Sequence, residues 1–261
     1  MMVVEITAGS IFGSMALLAD GLHMASHAVA LTINAFAYIY ARHHAQDIKY
    51  SFGTGKVNAL GGFTGAVLLA IFALMMIWES VERIIYPVGI AYNPAIFVAI
   101  LGLIVNGTSV FILGHHHDHN LRAAYLHVLA DALTSLLAIV ALLVAKYIGL
   151  VWMDPLMGIV GAVLVSRWSL GLLRTTSAVL LDNQGPEHLQ LKITQCIEDD
   201  DNRITDLHLW SIGPNIYSVI ISVVARTPQP PEYYKELIPS SLGLVHLTVE
   251  VHEWFQEDFD N

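Results

Sequence analysis

Ala123-Ala-Tyr-Leu-His127-Val-Leu-Ala-Asp131-Ala-Leu-Thr-Ser135 opens an apolar run that continues to Tyr147. A helix through this run is long enough to cross a bilayer, which takes about 20 residues. A histidine and a carboxylate four apart share one face of such a helix. Ionisable groups at membrane depth are costly, and chains keep them where they serve an ion, a proton or a partner. The spacing recurs at His23 and His27, within Leu17-Leu-Ala-Asp20-Gly-Leu-His23-Met-Ala-Ser-His27. One such histidine alone reads as a satisfied buried group. Two pairs in separate apolar helices read as a site, because His23, His27, His127 and Asp131 together offer three imidazoles and one carboxylate. That is a tetrahedral donor set suited to a divalent transition metal.

Composition agrees with a chain built around membrane helices. Of the 261 residues 55% are hydrophobic and 13% charged, too apolar for an ordinary soluble domain. Residues 1–181 carry eight acidic and eight basic side chains, whereas residues 182–261 carry fourteen acidic and four basic, the source of the whole net charge of −10. The expected organisation is a transmembrane part over 1–181, a soluble domain over 182–254 and an acidic tail over 255–261. That acidity disfavours nucleic acid and phospholipid surfaces as partners and concentrates cations. Cys196 is the single cysteine, so there is no internal disulfide and no thiolate cluster. No basic segment precedes the first apolar residues, so nothing there resembles a cleavable signal.

In chain order, residues 1–8 are apolar but too few to span, and a turn is expected over Gly9-Ser10 and Gly13-Ser14. The expectation is that the sequence begins inside its first helix. A helix follows from Ser14 to Ala41, then a polar stretch over 42–56. Its Ser51-Phe-Gly-Thr-Gly-Lys56 lacks the preceding strand and glycine spacing of a phosphate loop and reads as a helix entry. Spans are predicted over Val57–Ile77, Pro94–Leu113, Ala123–Tyr147 and Leu156–Leu173, with Arg167 snorkelling or pairing near the end of the last. A short loop holds His115, His116, His117 and His119, a composition that reads as metal-handling or as merely solvated. Arg42, Lys49, Lys56, Arg122 and Arg174 fall on one side of the membrane against Arg83 and Lys146 on the other. The positive-inside rule makes the first side cytosolic, and the soluble domain with it.

The tail reads as a two-layer α+β domain in the order αββαβ: a helix over Pro186–Ile197, strands over Ile204–Ile212 and Ile216–Ala225, a helix over Pro231–Ile238 and a strand over Leu244–Trp254. Alternation puts Leu247, Val249 and Val251 on one face of the last strand. Asp206, His208 and Trp210 likewise share a face of the first strand. His208, His246, Glu250 and His252 are donors for a second, peripheral metal site or, equally, an ordinary solvated face.

Taken together, Ala19-Asp20-x-x-His23-x-x-x-His27, Ser51-Phe-Gly-x-Gly-Lys56, His127-x-x-x-Asp131, Asp154-Pro155, Asp206-x-His208-x-Trp210 and His246-Leu-Thr-Val-Glu-Val-His252 resemble the cation diffusion facilitator family over nearly the whole chain. The likeness is to bacterial members with a short histidine-rich loop. It implies a six-helix membrane bundle with cytosolic termini, a homodimer, and a metallochaperone-like α+β C-terminal domain. It also implies proton-coupled efflux of divalent metal, in a bacterial inner membrane, with no prosthetic group. By this resemblance His23, His27, His127 and Asp131 are the transport ligands, and Lys56 and Asp182 make a charge contact between the third and sixth helices. Asp20, three residues before His23, is expected to orient it through a hydrogen bond. The sequence departs from the family pattern at His27, where zinc members usually carry a carboxylate. It also departs at Tyr50 and Thr54, which stand where further ligands of a loop site near Asp47 would be. A nitrogen-rich set moves preference away from manganese and leaves zinc, cobalt and nickel. The alternative from another class is a membrane-bound non-haem iron oxygenase or desaturase, which also places histidines around apolar helices. Here the strongest pairs lie near mid-membrane, unlike the surface boxes of those enzymes.

Overall fold

The computed structural model describes the backbone of residues 1–113 and 119–254, and the side chains of these except 113–127 and 130. The loop histidines His115, His116 and His117, the side chains of His119 and His127, and the acidic tail lie outside the described residues. In order, the elements are α1 (Met2–Phe12), α2 (Met15–His43), α3 (Gly55–Ile85), α4 (Tyr92–Leu113), α5 (His119–Ile148), α6 (Met153–Leu180), α7 (Glu187–Ile197), β1 (Asn202–Gly213), β2 (Ile216–Ala225), α8 (Pro231–Leu237), and β3 (Leu244–Glu253). Among the described residues five helices are long and apolar enough to cross a membrane, α2 to α6, and α1 is a shorter apolar helix of 11 residues. The chain forms two compact units, one of Met1–Ile33 with Thr64–Leu173, the other of Asn34–Phe63 with the chain from Arg174 onward.

In the first unit the expected turn is narrower than Gly9–Ser14. Helix α1 runs through Gly9 and Ser10, where a Cβ at Gly9 would lie 2.6 Å from the Leu18 backbone, so this glycine lets α1 and α2 touch. The break falls at Gly13, whose φ of 70° is a left-handed conformation that glycine adopts without penalty. The start of α2 is then capped from a distance. Asp154 at the head of α6 accepts hydrogen bonds from the Ser14 hydroxyl at 2.7 Å, Met15 N at 2.6 Å and Ala16 N at 3.1 Å. A carboxylate among the orphan N–H groups of a helix start satisfies them and complements the helix dipole. Arg83 donates to the carbonyl of Gly13 and pairs with Glu79 one turn back. The two charges pair along α3, which runs past the expected end of its span at Ile77 and continues to Ile85 before Pro87. Helix α6 likewise runs seven residues past the expected end at Leu173. Its middle therefore holds Arg167.

In the second unit the sheet order is β1-β2-β3, with β1 antiparallel to β2 and β2 parallel to β3. A tight turn at Pro214-Asn215 joins the first two strands, while the parallel pair needs the crossover that α8 supplies. Leu209, Val219, Ile221, Val223 and Val249 face Leu189, Ile193 and Ile197 of α7, Tyr234 of α8 and Ile238 just past its end, a two-layer core. The spacing of four along α7 is what gives a helix one apolar stripe. Tyr234 is fully buried, and its hydroxyl donates to Asn202 Oδ1 at 2.9 Å. A Cβ at Gly55 would fall 2.7 Å from Gly213 Cα, so the second glycine of the Ser51–Lys56 stretch is required by packing against the end of β1.

Candidate metal site

Helix α2 presents His23 and His27 one turn apart, their rings 4.8 Å between centroids. Asp131 of α5 comes to the same place: one ligand atom from each of His23, His27 and Asp131 lies within 4.8 Å of the others. Tetrahedral zinc with bonds of about 2.0–2.1 Å sets its donors about 3.3 Å apart. The three donors thus lie within about 1.5 Å of the spacing a tetrahedral ion would set. His127 stands four residues before Asp131 on α5, the helical interval at which side chains become neighbours.

The three groups line a cavity of about 250 Å³ together with Ser26, Thr134, Arg167 and Trp168. Trp168 meets His27 edge-on, with centroids 4.8 Å apart and planes at 87°. Sequence reasoning missed Arg167 and Trp168 as cavity residues because a single charge in an apolar run has no partner written beside it. The signal was there in the form of the apolar residues that continue on both sides of Arg167.

One turn from His23, Asp20 ties the two ligand helices together. Its carboxylate accepts from Ser135 Oγ at 2.6 Å and from Thr134 Oγ1 at 3.2 Å, both on α5. Asn106 of α4 donates to Ser135 Oγ at 3.1 Å. This buried chain from α4 through α5 to α2 holds the register of the two helices whose side chains meet in the cavity. Satisfied polar networks in a dry interior specify one arrangement, since any slip leaves buried groups unmade.

The donors of the second unit are arranged differently. His208, His246, Glu250 and His252 all lie on the open face of the sheet, with Asp206 and Trp210, but β2 separates the first from the rest. His208 stands opposite Ile220, and Ile220 opposite Thr248. Strands are spaced by about 4.8 Å, which puts β1 about 10 Å from β3. His208 Nε2 is 2.9 Å from Asp206 Oδ2, and His246 packs edge-on to Phe52, which also meets Trp210. Among the described residues His23, His27 and Asp131 are the only three such side chains gathered closely enough to hold an ion. Lys56, at the start of α3, donates to Asp182, just past the end of α6. Tyr50 shares a hydrogen bond with Tyr40 at 3.0 Å, and Thr54 donates to the Ala41 carbonyl at 2.7 Å. Both side chains thus brace the loop between α2 and α3.

Comparison with known proteins points the same way. The family model for the cation efflux transmembrane domain matches residues 1–181. The zinc transporter ZitB of Escherichia coli (strain K12) is 33% identical over 219 residues, 81% of this chain and 69% of that protein. A cadmium, cobalt and zinc/H(+)-K(+) antiporter of Bacillus subtilis (strain 168) is 30% identical over 263 residues, covering 96% and 84%. The metal cation efflux system protein CzcD of Cupriavidus metallidurans is 28% identical over 263 residues, covering 95% and 81%. These relatives are transporters, which sets the oxygenase alternative aside. The chain belongs to the cation efflux family, the cation diffusion facilitators, multi-pass membrane transporters of divalent metal ions rather than enzymes.

Proposed function

We propose that this protein exports zinc, cobalt or nickel from the cytosol in exchange for protons, with His23, His27, His127 and Asp131 as the transport ligands. The observation that carries this reading is the convergence of His23, His27 and Asp131 across two apolar helices on one cavity. Imidazole binds metal only when neutral, so metal loading releases protons and protons displace metal. An unperturbed imidazole titrates near about 6.5, close enough to cytosolic pH for this competition to drive exchange. Asp131 supplies the only formal negative charge among the four ligands, so a bound divalent ion keeps net positive charge and is not held irreversibly. The names of the relatives, which include zinc, cadmium and cobalt, agree with a borderline ion on a nitrogen-rich set.

The same reading places residues 1–181 in the membrane, residues 182–254 in a cytosolic domain, and the active form as a homodimer in a bacterial inner membrane. Basic residues around the cytosolic helix ends support that orientation. The loop histidines His115, His116, His117 and His119 then face the cytosol, where they capture ions ahead of the transport site.

The test is transport by the purified chain in liposomes carrying a pH-sensitive dye. Imposed zinc or cobalt gradients are expected to drive protons the opposite way, and metal movement with no proton counterflow refutes the exchange. His27→Asp replaces an imidazole by an oxygen donor and is expected to shift the uptake ratio towards zinc against cobalt and nickel. An unchanged ratio removes His27 from selectivity.

A further inference from the structure

Helix α1 carries one charged residue, Glu5, and it is entirely shielded, with 0% of its surface exposed. Among the described residues neither of its carboxyl oxygens has a hydrogen-bond partner. Two glycines make room for it. A Cβ at Gly102 of α4 would sit 2.2 Å from Glu5 Oε1, and one at Gly21 of α2 would sit 3.0 Å from Glu5 Cβ. The carboxyl is thus wedged between α2 and α4 where both are pared back to backbone. The ionisable groups that face it are Asp20 of α2 and the amino group of Met1, while α4 presents Gly102 and no charge.

Such a group is expensive in either state. An ionised carboxylate with no donor in a dry interior costs several kcal/mol, and the nearby carboxyl of Asp20 adds repulsion. A neutral acid avoids the charge but still forgoes hydrogen bonds that water would supply. Leucine would fill the same space at no such cost. An ionisable side chain kept inside a membrane bundle under those terms marks use. Its neighbour Asp20 is joined through Ser135 and Thr134 to the ligand helix α5, so the carboxyl lies beside the polar chain that registers the metal site and not among the ligands themselves.

We propose that Glu5 is a proton-carrying site of the transport cycle, one that this fold holds as the neutral acid and that releases its proton when the packing of α1 against α2 and α4 opens to water. This rests on the proton-exchange reading above. The step is a simple ionisation: the carboxyl O–H breaks, the proton passes to water on one side of the membrane, and the carboxylate regains a proton from water on the other. Glu5 then adds to the proton count independently of the imidazoles.

Two measurements test it on the full chain in liposomes. The first is the infrared spectrum of metal-free protein at neutral pH, with and without ¹³C-labelled glutamate. A carbonyl band of a protonated carboxylic acid that shifts with the label, and that vanishes in Glu5→Gln, is expected. Absence of any glutamate-derived band overturns the proposal without the need for a variant. The second compares proton-to-metal ratio and the pH profile of zinc transport in wild type, Glu5→Gln and Glu5→Asp. Glu5→Gln is expected to bind zinc within about twofold of wild type, to move about one proton fewer per ion, and to lose part of its pH dependence. Glu5→Asp is expected to restore both. Wild-type ratio and pH profile in Glu5→Gln reduce Glu5 to a buried structural acid. If the wild type itself shows no metal-driven proton flow, the exchange reading fails and Glu5 fails with it as a cycle site. The infrared band then reports only its resting protonation.

Discussion

The membrane unit and the C-terminal unit both collect histidines and carboxylates, yet among the described residues only the first brings three of them close enough to hold an ion. Along α2 the interval of four returns His23 and His27 to one helix face, and α5 delivers Asp131 across a cavity from a second direction. On the sheet, alternation places His208, His246, Glu250 and His252 on one face just as regularly, but the strands lie side by side. Donors on β1 and β3 are kept apart by β2, and Phe52 packs over the face between Trp210 and His246. An ion needs donors that converge on a point, and two packed helices provide that where one face of a three-stranded sheet does not.

The sharpest way to break this contrast is to remove donors from each unit in turn. Asp131→Ala or His23→Ala is expected to lower zinc transport by about 100-fold or more, since loss of a direct ligand should exceed the 10–100-fold typical of an outer hydrogen-bonding partner. His208→Ala, His246→Ala, Glu250→Ala and His252→Ala are each expected to stay within about twofold, by the same scale. Uptake into everted vesicles at matched protein levels measures both. Strong transport by Asp131→Ala refutes the membrane site, and a collapse in His246→Ala refutes the contrast itself.

A smaller effect is expected at Asp20, which binds α2 to α5. Asp20→Asn keeps one acceptor but puts an N–H donor in place of the second carboxylate oxygen, so one of the bonds from Ser135 and Thr134 must be reversed or lost. An unsatisfied buried group costs about 1–3 kcal/mol, and the lost register should reduce transport about 10–100-fold, as for other groups that orient ligands. A fall in zinc affinity accompanied by normal membrane insertion is the signature. Unchanged affinity would place Asp20 outside the support of the site.

Much of this was legible in the sequence because helix and strand periods are properties of local spacing. The His23/His27 and His127/Asp131 intervals, the apolar stripe of α7 and the alternation of β3 can each be read without knowing what lies opposite. What could not be read depends on distant partners. That Asp154 caps the start of α2, that Gly9 rather than a turn lets α1 meet α2, and that Glu79 and Arg83 prolong α3 are all contacts or pairings chosen by packing. Arg167 illustrates the cost of a misplaced boundary: seven more residues of α6 turn a residue near a helix end into one lining the cavity. The separation of His208 from β3 was hidden for the same reason, since strand order is not written in any one strand.

The smallest effect belongs to the second unit, where a carboxylate fastens the start of a strand. Asp199 accepts hydrogen bonds from the backbone N–H of Asp201 and Asn202, each at 2.8 Å, and from the Asn202 side chain at 2.9 Å. Bonds to the charged form hold its carboxyl below the usual range, the Asp201 N–H contributing most, then the Asn202 side chain, against a smaller opposing effect of desolvation. A depressed folded value means that the unfolded chain binds the proton more readily. The stabilisation is therefore fully present above the ordinary carboxylate range and is lost as pH falls through the lower, folded value. The group is exposed, so the increment is modest and screened by solvent. Hydrogen exchange of peptides spanning residues 199–213, in the full chain, compares Asp199→Ala with wild type at each pH so that intrinsic rates cancel. The mutant is expected to exchange faster at neutral pH, with the ratio falling towards one in acid. A ratio that does not change with pH would show that Asp199 steadies the start of β1 by shape and not by charge. The turn would then be held together just as well by a neutral acceptor.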